Sequence, residues 1–121
     1  MKIMIVDDSK AMRVIVMRTL RQAGFGDHAM TEAANGAEAL KMIQEQGPDL
    51  VLSDWNMPEM SGIELLRHLR ARNNSVRFGF ITSESSAEMH KTATDAGALF
   101  LITKPFTPEA FQSALTPVLA G

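Results

Sequence analysis

The chain has no cysteine. Disulfides, thiolate metal sites and thiol nucleophiles are therefore excluded. It also lacks an excess of positive charge: the formal net charge is -2, which gives no electrostatic basis for binding nucleic acid. No apolar run is long enough to span a bilayer. The apolar stretch in the N-terminal MKIMIVDD is also too short for the core of a signal peptide. The cytoplasm is the expected compartment. Linkers, low-complexity segments and internal repeats are absent too. The turn after the first apolar run, DDSKAM, lacks the glycines that a pyrophosphate needs, which argues against a dinucleotide-binding domain.

What is present suits one domain over residues 1–121, with 45% apolar and 21% charged residues. Five short apolar runs stand out: Ile3–Val6, a weaker one at Ala29–Ala33, Leu50–Leu52, Phe78–Ile81 and Leu99–Ile102. Four are unbroken, as buried parallel strands are. Helical spacing fills the gaps: Met12, Ile15, Val16 and Leu20, then Ala39, Leu40 and Ile43, then Ile63, Leu66 and Leu69. Met89, Ala93 and Ala96 follow, and finally Phe111, Leu115 and Val118. Capping boxes are expected at Asn35/Glu38, Ser61/Glu64 and Ser85/Glu88. Thr107-Pro108 reads as a cap and first helical residue, and Pro117 should end or kink the last helix. The pattern is (βα)5, an α/β fold with an open parallel sheet covered on both faces.

Such sheets gather ligand groups at the carboxyl ends of their strands. There the sequence places Asp7 and Asp8 after the first strand and Asp54 after the third. Thr82 and Ser83 follow the fourth, and Lys104-Pro105 the fifth, while the second ends without an obvious chemical group. Three neighbouring carboxylates repel, so the set calls for a cation, and hard oxygen donors with an open face suit Mg2+. A metal, an ammonium and a hydroxyl around one free carboxylate form a phosphoryl-transfer site. Asp54 is the best nucleophile by position, and Asp7 and Asp8 are better placed to hold metal. Trp55 reads as a half-exposed aromatic and not as a recognition platform. The scattered His28, His68 and His90 form no cluster, and Arg67, Arg70 and Arg72 read as a solvated helix face.

At these residues the sequence resembles the CheY-like receiver domains of two-component response regulators. The markers are VDDSKAMR, LSDWNMPEMSG, FITSE and TKPF, and they run the length of the chain. The resemblance implies a flavodoxin-like fold with strand order 2-1-3-4-5. It implies a switch in which a histidine kinase phosphorylates Asp54. Asp8, Asp54 and the backbone carbonyl of Asn56 would hold Mg2+ directly, with Asp7 completing the acidic pair. Thr82 matches the hydroxyl residue that moves to the phosphoryl group, and Lys104 the family lysine. Pro105 matches a cis-proline, and Asn56 and Glu84 the positions that border the phosphate. The output surface implied is helix 4, strand 5 and helix 5. Leu101 departs from the pattern: the family often carries Tyr or Phe there, and strand alternation sends Phe100 to the opposite face.

Two other classes are less well matched by these residues. A haloacid-dehalogenase-type Mg2+-dependent phosphatase also uses a strand-end Asp, but neither Asp7-Asp8-Ser9 nor Asp54-Trp55-Asn56 is its DxD motif, and no substrate cap is apparent. A phosphorylation-independent binding module would have no use for the intact acidic set, Thr82 and Lys104.

Overall fold

The computed structural model describes residues 1–120. Strands β1 (Lys2–Val6), β2 (Ala29–Ala33), β3 (Leu50–Asp54), β4 (Arg77–Thr82) and β5 (Phe100–Thr103) alternate with α1 (Lys10–Leu20), α2 (Gly36–Gln46), α3 (Gly62–Ala71), α4 (Ala87–Asp95) and α5 (Pro108–Ala120). All pairings are parallel and the order is β2-β1-β3-β4-β5. This is the flavodoxin-like arrangement that the sequence implied.

Side-chain alternation divides the core in two. Met4, Val6, Val51, Phe78 and Phe80 face α2, α3 and α4, where Ile43, Leu66, Leu69 and Ala93 meet them. Ile3, Ile5, Leu50, Leu52, Ile81 and Ile102 face α1 and α5, against Val16, Leu20, Phe111 and Leu115. Strands covered on both faces have no polar side to show, which is why β1 and β3 read as continuous apolar runs. Leu101 and Phe100 fall on opposite faces, as alternation requires.

Local signals hold with some displacement. Ser61 forms the reciprocal capping box with Glu64. Asn35 accepts from the Glu38 N–H at 2.8 Å. The α4 cap is Ser86, not Ser85: its hydroxyl accepts from the Met89 N–H at 3.1 Å, and Ser85 Oγ lies 3.0 Å from His90 Nε2. Thr107 Oγ1 accepts from the Ala110 N–H at 3.2 Å, with Pro108 at the first helical position. Pro117 does not end the last helix: α5 continues through it to Ala120. Pro117 and Ser113 are both exposed, and the Ser113 carbonyl has no helical donor at Pro117, which carries no N–H. Meanwhile Ala114, Leu115, Val118 and Leu119 keep the helix packed on the sheet. β5 also starts one residue late: Leu99 is 53% exposed, and its N–H donates to the Phe78 carbonyl at 2.8 Å.

Candidate functional site

Asp7 follows β1 directly, and its backbone N–H extends the β1–β2 ladder to the Ala33 carbonyl at 3.2 Å. Its carboxylate is 5% exposed as a residue. One oxygen accepts from the Ser9 N–H at 2.9 Å, which anchors the entry to α1. Asp8 is exposed. Asp54 is the last residue of β3 and pairs with Ile81 of β4, so its direction is set by the sheet. Ser53 Oγ donates to the Asp54 carbonyl at 2.8 Å. Gly62 fits against that same carbonyl: a Cβ there would overlap it and come within 2.9 Å of the Phe80 ring. The Gly62 N–H donates to Trp55 O at 2.8 Å, closing the loop that carries Asn56.

The three acidic side chains converge. One oxygen from each of Asp7, Asp8 and Asp54 lies within 4.8 Å of the others. Lys104 Nζ reaches in from the end of β5, 3.5 Å from Asp7 Oδ2 and 3.6 Å from Asp54 Oδ1. Its backbone N–H donates to Thr82 O at 2.7 Å, and the Lys104–Pro105 peptide is cis, as the resemblance implied. Thr82 is fully buried. Its hydroxyl accepts from the Glu84 N–H at 3.3 Å. Asn56, Glu84 and Pro105 are exposed. Leu101 is half-buried one strand away, against the α4 side of the core.

The charges do not cancel, since three carboxylates meet one ammonium. A carboxylate pair no farther apart than 4.8 Å repels by at least about 3.5 kcal/mol at an effective dielectric near 20. The Asp54 pKa is pushed up, first by burial and then by the Asp7 charge, against the opposing pull of Lys104 and of the Trp55 N–H, which donates to Oδ1 at 2.8 Å. The ionised carboxylate is thus held in a site that disfavours it. A cation would relieve it.

The profile of the response regulator receiver domain matches residues 3–116. The chain belongs to this family. Its relatives include the chemotaxis protein CheY1 of Helicobacter pylori, 39% identical over 98% of this chain and 97% of that protein. The CheY homolog of Campylobacter jejuni is 37% identical over 98% of this chain and 92% of its own length. Among solved structures, the Vibrio cholerae chemotaxis protein CheY4 superimposes with a TM-score of 0.85 at 34% identity, covering 97% of both chains. The chain is therefore a CheY-like receiver domain, a phosphorylation-activated signalling switch. Receiver domains bind Mg2+ at an acidic pocket, and the donor set here fits that ion. It offers hard carboxylate oxygens, few in number, with exposed Asp8 leaving positions for water and a phosphate oxygen.

The contacts of two residues at the receiver domain's acidic end were not legible in the sequence, although Arg13 closes the VDDSKAMR segment. Arg13 of α1 donates from Nη1 to the Asp7 carbonyl at 2.7 Å and from Nε to Glu32 Oε1 at 3.0 Å. Glu32 lies one residue before the end of β2, so that strand does carry a charged group near the edge, aimed at α1. No local pattern announces a pair 19 residues apart. Only the folding of α1 over the β1–β2 edge brings it together.

Proposed function

We propose that residues 1–121 form a single receiver domain in which Asp54 accepts a phosphoryl group from the phosphohistidine of a partner histidine kinase. The observation that carries this reading is the bridge from Lys104 to both Asp54 and Asp7 at the edge of the sheet. An Asp54 oxygen attacks phosphorus, the P–N bond breaks, and the electron pair goes to the imidazole, which leaves as the neutral ring because its other nitrogen already carries a proton. Lys104 neutralises one phosphoryl oxygen as charge moves onto the acceptor. Bound Mg2+ would supply Lewis-acid neutralisation of the remaining oxygens. Asp8, Asp54 and the backbone carbonyl of Asn56 are the residues to hold it, with Asp7 kept in line by Ser9 and Lys104. Glu84 and Asn56 border the phosphoryl group and tune its lifetime, and the cis peptide at Pro105 sets the direction of Lys104.

Thr82 would read out the modification. Its hydroxyl hydrogen is free to turn, because the oxygen accepts from Glu84. Movement of that hydroxyl toward the phosphoryl group vacates space beside Leu101, which repacks in place of a rotating ring. The face of α4, β5 and α5 then changes for an output partner. Such a shift from 1:99 to 99:1 requires about 5.5 kcal/mol of differential stabilisation. The protein turns over no substrate other than its own acyl phosphate, and this reading places it in the cytoplasm with its donor. None of the described helices is long and apolar enough to cross a membrane.

The test is intact mass after incubation with Mg2+ and acetyl phosphate. One added phosphoryl group, absent without Mg2+ and absent in Asp54→Asn, is the expected result. An adduct that persists in Asp54→Asn would overturn the assignment.

A further inference from the structure

We infer that Arg13 is a positioning residue for the metal site, acting through the backbone between the two acidic residues. This rests on the reading of Asp7, Asp8 and Asp54 as the Mg2+ site. The Arg13 side chain is only 12% exposed, which is unusual for arginine on a surface helix. It is not spent on a surface ion pair alone. Nη1 donates to the Asp7 carbonyl at 2.7 Å, while Glu32 Oε1 holds Nε at 3.0 Å and so fixes the plane of the guanidinium. A planar fork held at one nitrogen presents the others in a set direction.

The consequence falls on Asp8. Asp7 is already restrained: its N–H by the Ala33 carbonyl, its carboxylate by the Ser9 N–H and by Lys104. Asp8 is exposed, and its side chain makes no hydrogen bond or ion pair among the described residues. Its direction is inherited from the Asp7–Asp8 peptide, whose carbonyl is the group that Arg13 grips. Pinning the carbonyl turns the rest of that peptide, and the Asp8 Cα beyond it, toward the acidic edge. Arg13 thereby orients a ligand that it does not touch.

Charge and position make opposite predictions here. Arg13 is a cation near a cation site, so its removal should tighten Mg2+ binding if only charge matters. If Arg13 positions Asp8, its removal should weaken binding, and losing an orienting partner typically costs about tenfold or more in metal affinity. The experiment is Mg2+ titration followed by Trp55 fluorescence on the full chain, for Arg13→Met and Arg13→Lys beside the unmodified protein. Thermal melts check folding. We expect the Kd for Mg2+ to rise about tenfold in Arg13→Met. Arg13→Lys keeps the charge and loses the fork, so it should fall between. Glu32→Gln leaves the grip on the Asp7 carbonyl and should shift Kd less than about threefold.

The acetyl-phosphate rate should fall at low Mg2+ and recover at saturating Mg2+ in Arg13→Met. A merely structural role would lower the melting temperature and leave Kd alone. An unchanged or lower Kd in Arg13→Met overturns the inference. Should Arg13→Met fail to fold, an unchanged Kd in Arg13→Lys does the same. Absence of any Mg2+ response in the unmodified protein would instead overturn the metal-site reading on which it rests.

Discussion

Replacing Asp54 with Asn should make the metal-free protein more stable at neutral pH. Oxygens of Asp7 and Asp8 lie within 4.8 Å of one from Asp54, where a unit-charge pair repels by at least about 3.5 kcal/mol, while Lys104 at 3.6 Å attracts Asp54 by about 4.6 kcal/mol, at an effective dielectric near 20. The balance is about 2 kcal/mol against the charged form, and burial works in the same direction. Solvent around exposed Asp8 screens part of this. Asn keeps the oxygen that accepts from the Trp55 N–H, and Lys104 keeps Asp7. A gain of about 1–2 kcal/mol follows, or about 4–8 °C in Tm for a domain of this length.

The pH dependence has a definite sign. The folded pKa of Asp54 lies above its unfolded value. The penalty is therefore fully present above the folded pKa, shrinks as pH falls through it, and is gone below the unfolded value of about 3.9. Thermal unfolding by circular dichroism in EDTA, from pH 7 downward, should show the variant's advantage closing toward pH 4. Saturating Mg2+ should narrow or reverse it, since a ligand of the folded state at ten times its Kd adds about 1.4 kcal/mol. An Asp54→Asn protein that melts at or below the unmodified one in EDTA at pH 7 would show that the acidic set is not electrostatically frustrated.

Three further outcomes are expected. Asp8→Asn should raise the Mg2+ Kd, read from Trp55 fluorescence, by about tenfold or more, because losing one unit charge from the cluster removes more than 1.4 kcal/mol of attraction. Gly79→Ala should destabilise by about 1–3 kcal/mol in urea unfolding, since a Cβ there would overlap the Phe100 ring across the β4–β5 pair; adding Phe100→Ala should recover part of the loss. Ser61→Ala should cost about 1 kcal/mol by removing the hydroxyl that caps α3 at 3.3 Å. Its effect should be smaller in acid, because Glu64, held below its usual pKa by the Ser61 backbone and side chain, loses its half of the box as pH falls through that lowered value.

Most of this fold was legible because the sheet is buried on both faces. A doubly covered strand has little freedom in its residue types, so Ile3–Val6 and Leu50–Leu52 showed directly, and the weaker edge run at Ala29–Ala33 fell where expected. The acidic edge was legible because chemistry sits at strand ends. The misses share a cause: each was decided by contacts beyond the local pattern. Thr103 joined β5 because Thr82 pairs with it. Pro117 was carried through because α5 is packed on either side of it. Ser86 displaced Ser85 at the α4 cap, a choice between adjacent serines that periodicity does not make. The grip of Arg13 on Asp7 required α1 to lie over the strand that precedes it.

The close fit of Gly62 to the Asp54 carbonyl has a mechanical consequence. With no room for even a methyl group between them, the first turn of α3 and the tip of β3 move as one body. A load applied along the exposed side of α3, at Arg67 or His68, is not absorbed by the intervening loop. It is passed to the tip of β3 that carries Asp54, so the helix serves as a handle on that aspartate.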